Sequence, residues 1–171
     1  MKPRRRLAAP IRSLLSLRSY LLSVCYFDNM SMVFRYLDST NPNGAISKRP
    51  SILAVFSNGQ EKLELYALVD SGADMSAMDY RIAEKLHLNL DGKKVVSYGV
   101  SGAVKSVITE VTIELGKGHE HYTLSIPIRV LFTKSDYIAP TLIGRKGFFD
   151  KFRITFDEYN QKVIMKNNGQ D

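Results

Sequence analysis

Asp70 directly follows an apolar run, and a carboxylic acid in that position could act as a catalytic acid or base. The run Leu63–Val69 is partly alternating and partly apolar, which is typical of a strand, and it ends at Asp70. Ser71 and Gly72 come next, so the carboxylate would lie on a tight loop at a strand end, where a sheet positions a reactive group well. Asp, Ser and Gly are also frequent in turns for conformational reasons, so the tripeptide alone indicates no more than a turn.

Two further segments give the tripeptide a more specific meaning. The string Leu142–Arg145 is apolar-apolar-Gly-Arg, and Ser97–Ala103 contains two glycines between short strand-like runs. Together with Ala67–Asp74, these strings resemble three segments of the retropepsins, the family of retroviral proteases and their cellular and prokaryotic relatives. The three are the active-site loop, the hairpin flap over the substrate, and the segment that opens a short helix beneath the loop. The resemblance covers about Ile46–Met165 and implies an all-β fold, a closed retropepsin-like barrel with two short helices.

The activity implied by this resemblance is that of an aspartic endopeptidase, a hydrolase of peptide bonds. Hydrolysis by water needs one group to take the water's proton and another to protonate or polarise the carbonyl. Two adjacent carboxylates that share one proton do both, because their repulsion separates their pKa values; aspartic proteases are the established example. Such a pair titrates as a unit.

The chain supplies only one of the two carboxylates. It has a single Asp-Ser-Gly, since Asp38 is followed by Ser39 and Thr40 and no clear strand precedes it. We therefore expect a homodimer in which Asp70 meets its own image on a twofold axis. A single copy should be inactive.

The resemblance also assigns roles to neighbouring residues. Asp74 matches the acid that pairs with the arginine of the Gly-Arg segment, here Arg145, and it could also meet the substrate backbone. The alternatives are an ordinary surface charge for this pair and a plain hairpin turn for the flap glycines. The expected catalytic residues are Asp70, Ser71 and Gly72, the expected substrate-binding residues are Ala73, Asp74, Gly99, Val100 and Gly102, and Gly144 and Arg145 give structural support.

Two features depart from the family. Tyr98 and Ser101 stand where retroviral relatives often have glycines in the flap. The segment Arg153–Met165 is typical of a hairpin, whereas retroviral enzymes have a single interface strand there.

Most of the remaining pattern predicts strands. Asn58 and Gly59 form a tight hairpin signal between two such runs. Alternation from Val107 to Leu115 predicts a long half-buried strand, and His121–Phe132 predicts another in which Pro127 marks an edge or a bulge.

Two short helices are expected. Ser76 and Asp79 have capping-box spacing, and Met78, Ile82 and Leu86 then recur on one face. A second helical piece is expected over about 145–152, where phenylalanines at helical spacing are more typical of a core than of a ligand site.

The peptidase domain is expected over 46–166, with a polar tail at 167–171 and an extension and linker at 1–45 that we expect to be disordered. The linker contains a strong turn signal at Asn41–Gly44. Three interpretations of the first 27 residues stay open: a targeting segment, a basic amphipathic helix on a lipid surface, and a disordered stretch. No membrane span is expected, because the apolar stretch Tyr20–Phe27 is too short, and a cytoplasmic location is expected.

The net charge of +7 does not indicate nucleic acid binding. The first 27 residues hold six basic residues and no acid, which leaves the rest of the chain almost neutral. The single cysteine, Cys25, excludes an intrachain disulfide.

No metal or cofactor is expected. His119–His121 suggests a metal site, but His87 is the only other histidine and no third ligand is placed, so a solvated turn is favoured. The alternative to an enzyme is a non-catalytic peptide-binding or dimerisation module of the same fold, because a fold alone does not establish activity.

Overall fold

The computed structural model describes residues 31–40, 43–99, 102–134 and 138–170. Most of these residues lie in strands, and the fold is all-β, as the sequence predicts. The strands are β1 (Ser31–Arg35), β2 (Leu37–Thr40), β3 (Ile46–Arg49), β4 (Ser51–Ser57), β5 (Lys62–Val69), β6 (Ser76–Asp79), β7 (Lys93–Gly99), β8 (Gly102–Lys117), β9 (Glu120–Leu131), β10 (Thr141–Ile143), β11 (Phe152–Asp157) and β12 (Lys162–Asn167). The described helices are α1 (Tyr80–Lys85) and a 3₁₀ turn (Asn168–Gln170).

Seven strands form the main sheet in the order β4, β5, β10, β6, β9, β8, β7. Strand β4 also pairs with β8, so the sheet joins back on itself through six of its strands. Closure of this kind satisfies backbone groups that an open sheet would leave unpaired at its edges. Strand β7 is the last strand of the order and pairs with β8 alone among the described strands. The β7–β8 hairpin therefore extends from this ring.

Alternation along the long strands builds the core. In β8, Val111, Ile113 and Leu115 are buried, and in β9 the same period buries Ile126 and Ile128. Successive side chains of a strand point to opposite faces, so every second residue enters the same apolar interior. Each fully buried aliphatic side chain contributes about 1.5–3 kcal/mol. The two long predicted strands are therefore confirmed.

Both predicted hairpins are present. Between β4 and β5, the side-chain oxygen of Asn58 accepts hydrogen bonds from the amides of Gln60 and Glu61, both at 2.8 Å. Strands β11 and β12 pair antiparallel around a polar turn in which Asp157 accepts from the amide of Asn160 at 3.0 Å. That backbone hydrogen bond lowers the pKa of the Asp157 carboxyl.

The domain begins earlier than the sequence indicates. Strand β1 lies within the stretch expected to be disordered, yet it pairs with β12, and Met32 and Phe34 are buried. Strands β2 and β3 form a hairpin around the predicted turn, of which Asn41 and Pro42 lie outside the described residues. The compact unit of the structure starts at Ser31, whereas the sequence pattern places the start of the peptidase domain at Ile46.

The helix predicted from Ser76 starts four residues later. Ser76 to Asp79 is a fully buried strand that runs parallel to β9 and also contacts β10. Asp79 is the N-cap of α1, since its carboxylate accepts from the amide of Arg81 at 3.0 Å. Tertiary pairing of β6 therefore overrides the local capping-box signal.

The second predicted helix is wrong. Residues 145–151 form a series of turns, with one helical hydrogen bond from the amide of Phe149 to the carbonyl of Arg145 at 2.9 Å. Gly147 has a φ of 81°, which a right-handed helix does not allow. Phe148 is fully buried, in agreement with its expected place in the core.

Within the described ranges, no helix is long and apolar enough to cross a membrane. The three interpretations of the first 27 residues, and the position of Cys25, fall outside the described part of the chain.

Candidate active site

Parallel pairing of β5 with β10 places the loop that carries Asp70. Ala67 lies beside Thr141 and Val69 beside Ile143. The pairing then continues by one bond, because the amide of Asp70 donates to the carbonyl of Ile143 at 3.0 Å. Asp70 therefore leaves the sheet from a fixed backbone position.

Residues 70–75, here named the Asp70 loop, turn back on themselves at once. The amide of Gly72 donates to one carboxylate oxygen of Asp70 at 2.9 Å, and the amide of Ala73 donates to the Asp70 carbonyl at 3.3 Å. Asp70 is half-buried, while Ser71 and Gly72 are exposed. A methyl group on Gly72 would lie 3.2 Å from the same carboxylate oxygen, so glycine leaves this side of the carboxylate open. The loop thus fixes one oxygen of Asp70 and leaves the group accessible.

The segment after β10 supports the loop from beneath. The amide of Arg145 donates to the carbonyl of Ala73, and the amide of Lys146 donates to that of Asp74, both at 2.9 Å. The guanidinium of Arg145 also forms the predicted ion pair with the carboxylate of Asp74. Both side chains are exposed, at 57% and 83%, so the ion pair contributes at most about 1 kcal/mol to stability. The backbone bonds hold the loop more than the ion pair does.

At Gly144, the segment after β10 lies directly against the end of the Asp70 loop. The Gly144 amide donates to the hydroxyl of Ser76 at 3.1 Å. A methyl group here would lie 2.4 Å from the carbonyl carbon of Met75, closer than any ordinary contact, so only glycine fits.

The predicted flap is a hairpin of β7 and β8. The strands pair from Lys93 opposite Ile108 as far as Gly99 opposite Gly102. Gly102 has a φ of 98°, a left-handed conformation that favours glycine. Val100 and Ser101, at the tip, lie outside the described residues. The hairpin prediction is confirmed, and contact with a substrate stays a prediction.

Comparison with known proteins agrees with the geometry. Residues 54–138, which include the Asp70 loop and the described parts of the β7–β8 hairpin, match the family model described as aspartyl protease. The chain is similar to the retropepsin-like aspartic proteases.

Solved structures similar to this retropepsin-like chain include two proteases. One is the EIAV protease complexed with the inhibitor HBY-793, at 26% identity and a TM-score of 0.42, with 58% of this chain and 84% of that chain covered. The other is a retropepsin-like aspartic protease from Rickettsia conorii, at 22% identity and a TM-score of 0.49, with 79% of this chain and 92% of that chain covered. No curated protein matches the chain.

The structure also reveals a polar cluster that the sequence did not predict as a site feature. The carboxylate of Asp79 is fully buried and accepts from Arg81 through two nitrogens, at 2.7 and 2.8 Å. It also accepts from the Thr133 hydroxyl at 2.8 Å and from the Ala139 amide at 3.2 Å. These four residues are named the Asp79 cluster. The hydrogen bonds from Arg81 hold the pKa of the Asp79 carboxyl well below its usual range.

The sequence-predicted residues thus divide into two sets. Residues 70–74 meet Gly144 and Arg145 at one end of the β5–β10 pair, whereas Gly99 and Gly102 lie at the tip of a separate hairpin. Among the residues that the structure describes, no group of three histidine, cysteine or acidic side chains is placed to hold a metal ion. His119–His121 lies at the turn between β8 and β9.

Proposed function

We propose that two copies of this chain form an aspartic endopeptidase in which the Asp70 carboxylates of both copies activate one water molecule. The observation that carries the proposal is the Asp70 loop itself. It presents a half-buried carboxylate at the end of a strand, with one oxygen held by the Gly72 amide. The match to the aspartyl protease family makes peptide hydrolysis the reaction to test first.

The second carboxylate is proposed to come from a second copy because the nearby acids of the same chain are engaged. Asp74 pairs with Arg145, and Asp79 is buried against Arg81. The hydrogen bonds from Arg81 lower the pKa of Asp79, so this carboxylate favours its ionised form and does not readily share a proton. A twofold axis through the Asp70 loop would supply a matching carboxylate without any further residue.

The proposed reaction follows from the shared proton. The ionised carboxylate takes a proton from the water as its oxygen attacks the carbonyl carbon of the peptide, and the protonated carboxyl donates its proton to the carbonyl oxygen. The carbon–nitrogen bond of the resulting tetrahedral intermediate then breaks as the carboxyl that took the water's proton gives it to the nitrogen. A hydroxyl of the intermediate returns its proton to the other carboxylate, so an acid and an amine leave and the pair again holds one proton. The products carry the atoms of one water molecule between them.

The substrate is proposed to be an extended peptide held by backbone groups. Ala73 and Asp74 lie on the rim of the Asp70 loop, and Gly99, Val100 and Gly102 are proposed to cover the peptide from the hairpin. Glycines suit that place because they let another backbone approach closely. The carbonyls of Ala73 and Asp74 already accept bonds from residues 145 and 146, and the amide of Ala73 donates to the Asp70 carbonyl. The side chains of both residues and the amide of Asp74 are therefore the groups proposed to face the substrate.

The decisive experiment is digestion of a peptide library with wild type and Asp70→Asn. The amide has nearly the size of the carboxylate but cannot act as a base, so we expect cleavage to fall to background. Asp38→Asn is the matched control, because this exposed acid also precedes a serine yet lies in β2 and pairs with Lys48. It should cleave as wild type does. Cleavage retained by Asp70→Asn would contradict the proposal.

Dilution separates a shared site from a self-sufficient one. If each active site needs two copies, the rate per chain should fall once the protein is diluted below the dimer dissociation constant, which sedimentation measures independently. A constant rate per chain across that range would exclude the shared site. A dimer that binds peptides and cleaves none would favour the non-catalytic module.

A further inference from the structure

Strand β6 connects the Asp70 loop to the Asp79 cluster. It is only four residues long and every one of them is buried. At its first residue, the Ser76 hydroxyl accepts from the amide of Gly144, next to the loop. At its last residue, Asp79 begins the cluster with Arg81. A short buried strand transmits displacement because its side chains have no room to absorb it.

The other side of the Asp79 cluster holds the segment that follows β9. Thr133 and Ala139 belong to the connection from β9 to β10, and both donate to the same carboxylate oxygen of Asp79. The neighbouring ring of Phe132 stacks on Tyr80, with centroids 5.7 Å apart and planes 20° apart. Asp79 and Tyr80, at the start of α1, therefore contact three residues of this connection: Phe132, Thr133 and Ala139.

That connection in turn supports the β7–β8 hairpin. The amide of Phe132 donates to the carbonyl of Lys105 at 2.9 Å, one residue beyond the last paired position of β8 and β9. An open groove of about 640 Å³ lies at the same place, with Val96, Lys105 and Phe132 among its lining residues. The bond at Lys105 therefore extends the β8–β9 ladder by one position toward the hairpin tip, beside the open groove.

We infer that Asp79 is a positioning residue, which fixes the base of the β7–β8 hairpin relative to the Asp70 loop through Thr133 and Phe132. The inference rests on the proposed function, in which the hairpin covers the peptide. Asp79 does not touch the reacting atoms. It determines where the hairpin stands when a peptide binds, so its contribution belongs to substrate binding more than to the chemical step.

The test uses Thr133→Val, which removes the hydroxyl that donates to Asp79 and accepts from Arg81 at 3.3 Å, and which leaves the Asp79–Arg81 pair in place. We expect KM for a cleaved peptide to rise about tenfold, the size expected for one hydrogen bond to a charged group, with kcat within about twofold of wild type. Thr133→Ser restores a hydroxyl and should recover the wild-type KM. Thr123→Val is the control, because Thr123 is an exposed threonine of β9 opposite Glu114.

Hydrogen exchange of the substrate-free protein gives a second measurement. Backbone amides of residues 94–98 and 103–106 should exchange about tenfold faster in Thr133→Val, and those of β4 and β5 should not change. If the valine variant does not fold, Thr133→Ala takes its place in both measurements. Unchanged exchange in the hairpin, or a KM that serine does not recover, would overturn the inference. Hydrogen exchange needs no substrate. If wild type cleaved no peptide, the proposed function would be refuted, and exchange in Thr133→Val would still decide this inference.

Discussion

Replacement of Gly144 by alanine places a methyl group against the backbone of the Asp70 loop. The added carbon would lie 2.4 Å from the carbonyl carbon of Met75, 2.6 Å from its oxygen and 2.8 Å from the amide nitrogen of Ser76. All three are backbone atoms, so no rotation of a side chain can relieve the contact. The chain must either tolerate strain or move the loop.

The size of the effect follows from the distances. Carbon atoms in ordinary contact are about 3.5 Å apart, so the segments must separate by about 1 Å. Such a shift would stretch the bond from the Gly144 amide to the Ser76 hydroxyl, now 3.1 Å, and the bond from the Arg145 amide to Ala73, now 2.9 Å. Overpacking of this kind costs about 1–3 kcal/mol, which lowers Tm by roughly 3–10 °C for a domain of this size. A misplacement of about 1 Å in a catalytic group also lowers kcat/KM by about a hundredfold.

Thermal unfolding and peptide cleavage by Gly144→Ala measure the two effects together. Gly169→Ala is the matched control, because an added methyl there would meet only the side-chain oxygen of Asn167, at 3.2 Å, on an exposed turn. The control should keep the Tm and the activity of wild type. If Gly144→Ala matched wild type in both measurements, the close approach between β10 and the Asp70 loop would be refuted.

Two further predictions concern stability. Phe148→Ala should lower the free energy of unfolding by about 3–5 kcal/mol in urea titrations, because this fully buried ring packs 5.2 Å from that of Phe152; a loss below about 1 kcal/mol would contradict its place in the core. Arg81 lowers the pKa of Asp79 from its ordinary 3.8. The stability that this carboxylate contributes is therefore fully present above the ordinary pKa and is lost as pH falls toward the lowered pKa. Asp79→Asn should therefore flatten the acid limb of a plot of stability against pH, and a limb as steep as that of wild type would assign the acid sensitivity to other groups.

The parts of the fold predicted from sequence are those with local causes. The hairpin between β4 and β5 follows from Asn58 and Gly59, whose side-chain and backbone preferences act within four residues. The strand β8 follows from a period of two that persists over many residues. The Asp70 loop and its support at Gly144 were recognised because three strings in fixed order resembled one family, and periodicity alone would have left Asp70 in an ordinary turn.

The features that sequence reasoning missed depend on distant partners. Ser76 has the spacing of a helix cap, but its hydroxyl accepts from Gly144, far along the chain, and the true cap is Asp79. The contacts of Asp79 with Thr133 and Ala139 left only a weak signal, an acid within an otherwise apolar run. The glycine at position 147 is a sequence signal against the second helix. Glycine readily adopts a left-handed conformation, as Gly147 does here, and a left-handed residue interrupts the helical hydrogen bonds.

Strand β1 was missed for the same reason. Met32 and Phe34 alternate with less buried residues over only five positions, and one of these, Val33, is itself apolar. The partner strand β12 lies near the other end of the domain. A run this short gives little periodicity by itself. Its burial depends on a surface that the rest of the domain provides.

The parallel pairing of β5 with β10 also affects the order of events during synthesis on the ribosome. Translation proceeds at about 5–20 residues per second, so several seconds pass between the emergence of Val69 and that of its neighbour Ile143. Until then the nascent chain has no acceptor for the Asp70 amide, and the amides of Arg145 and Lys146 that support the loop are not yet present. A newly made chain therefore cannot assemble the Asp70 loop and its support before β10 has been translated.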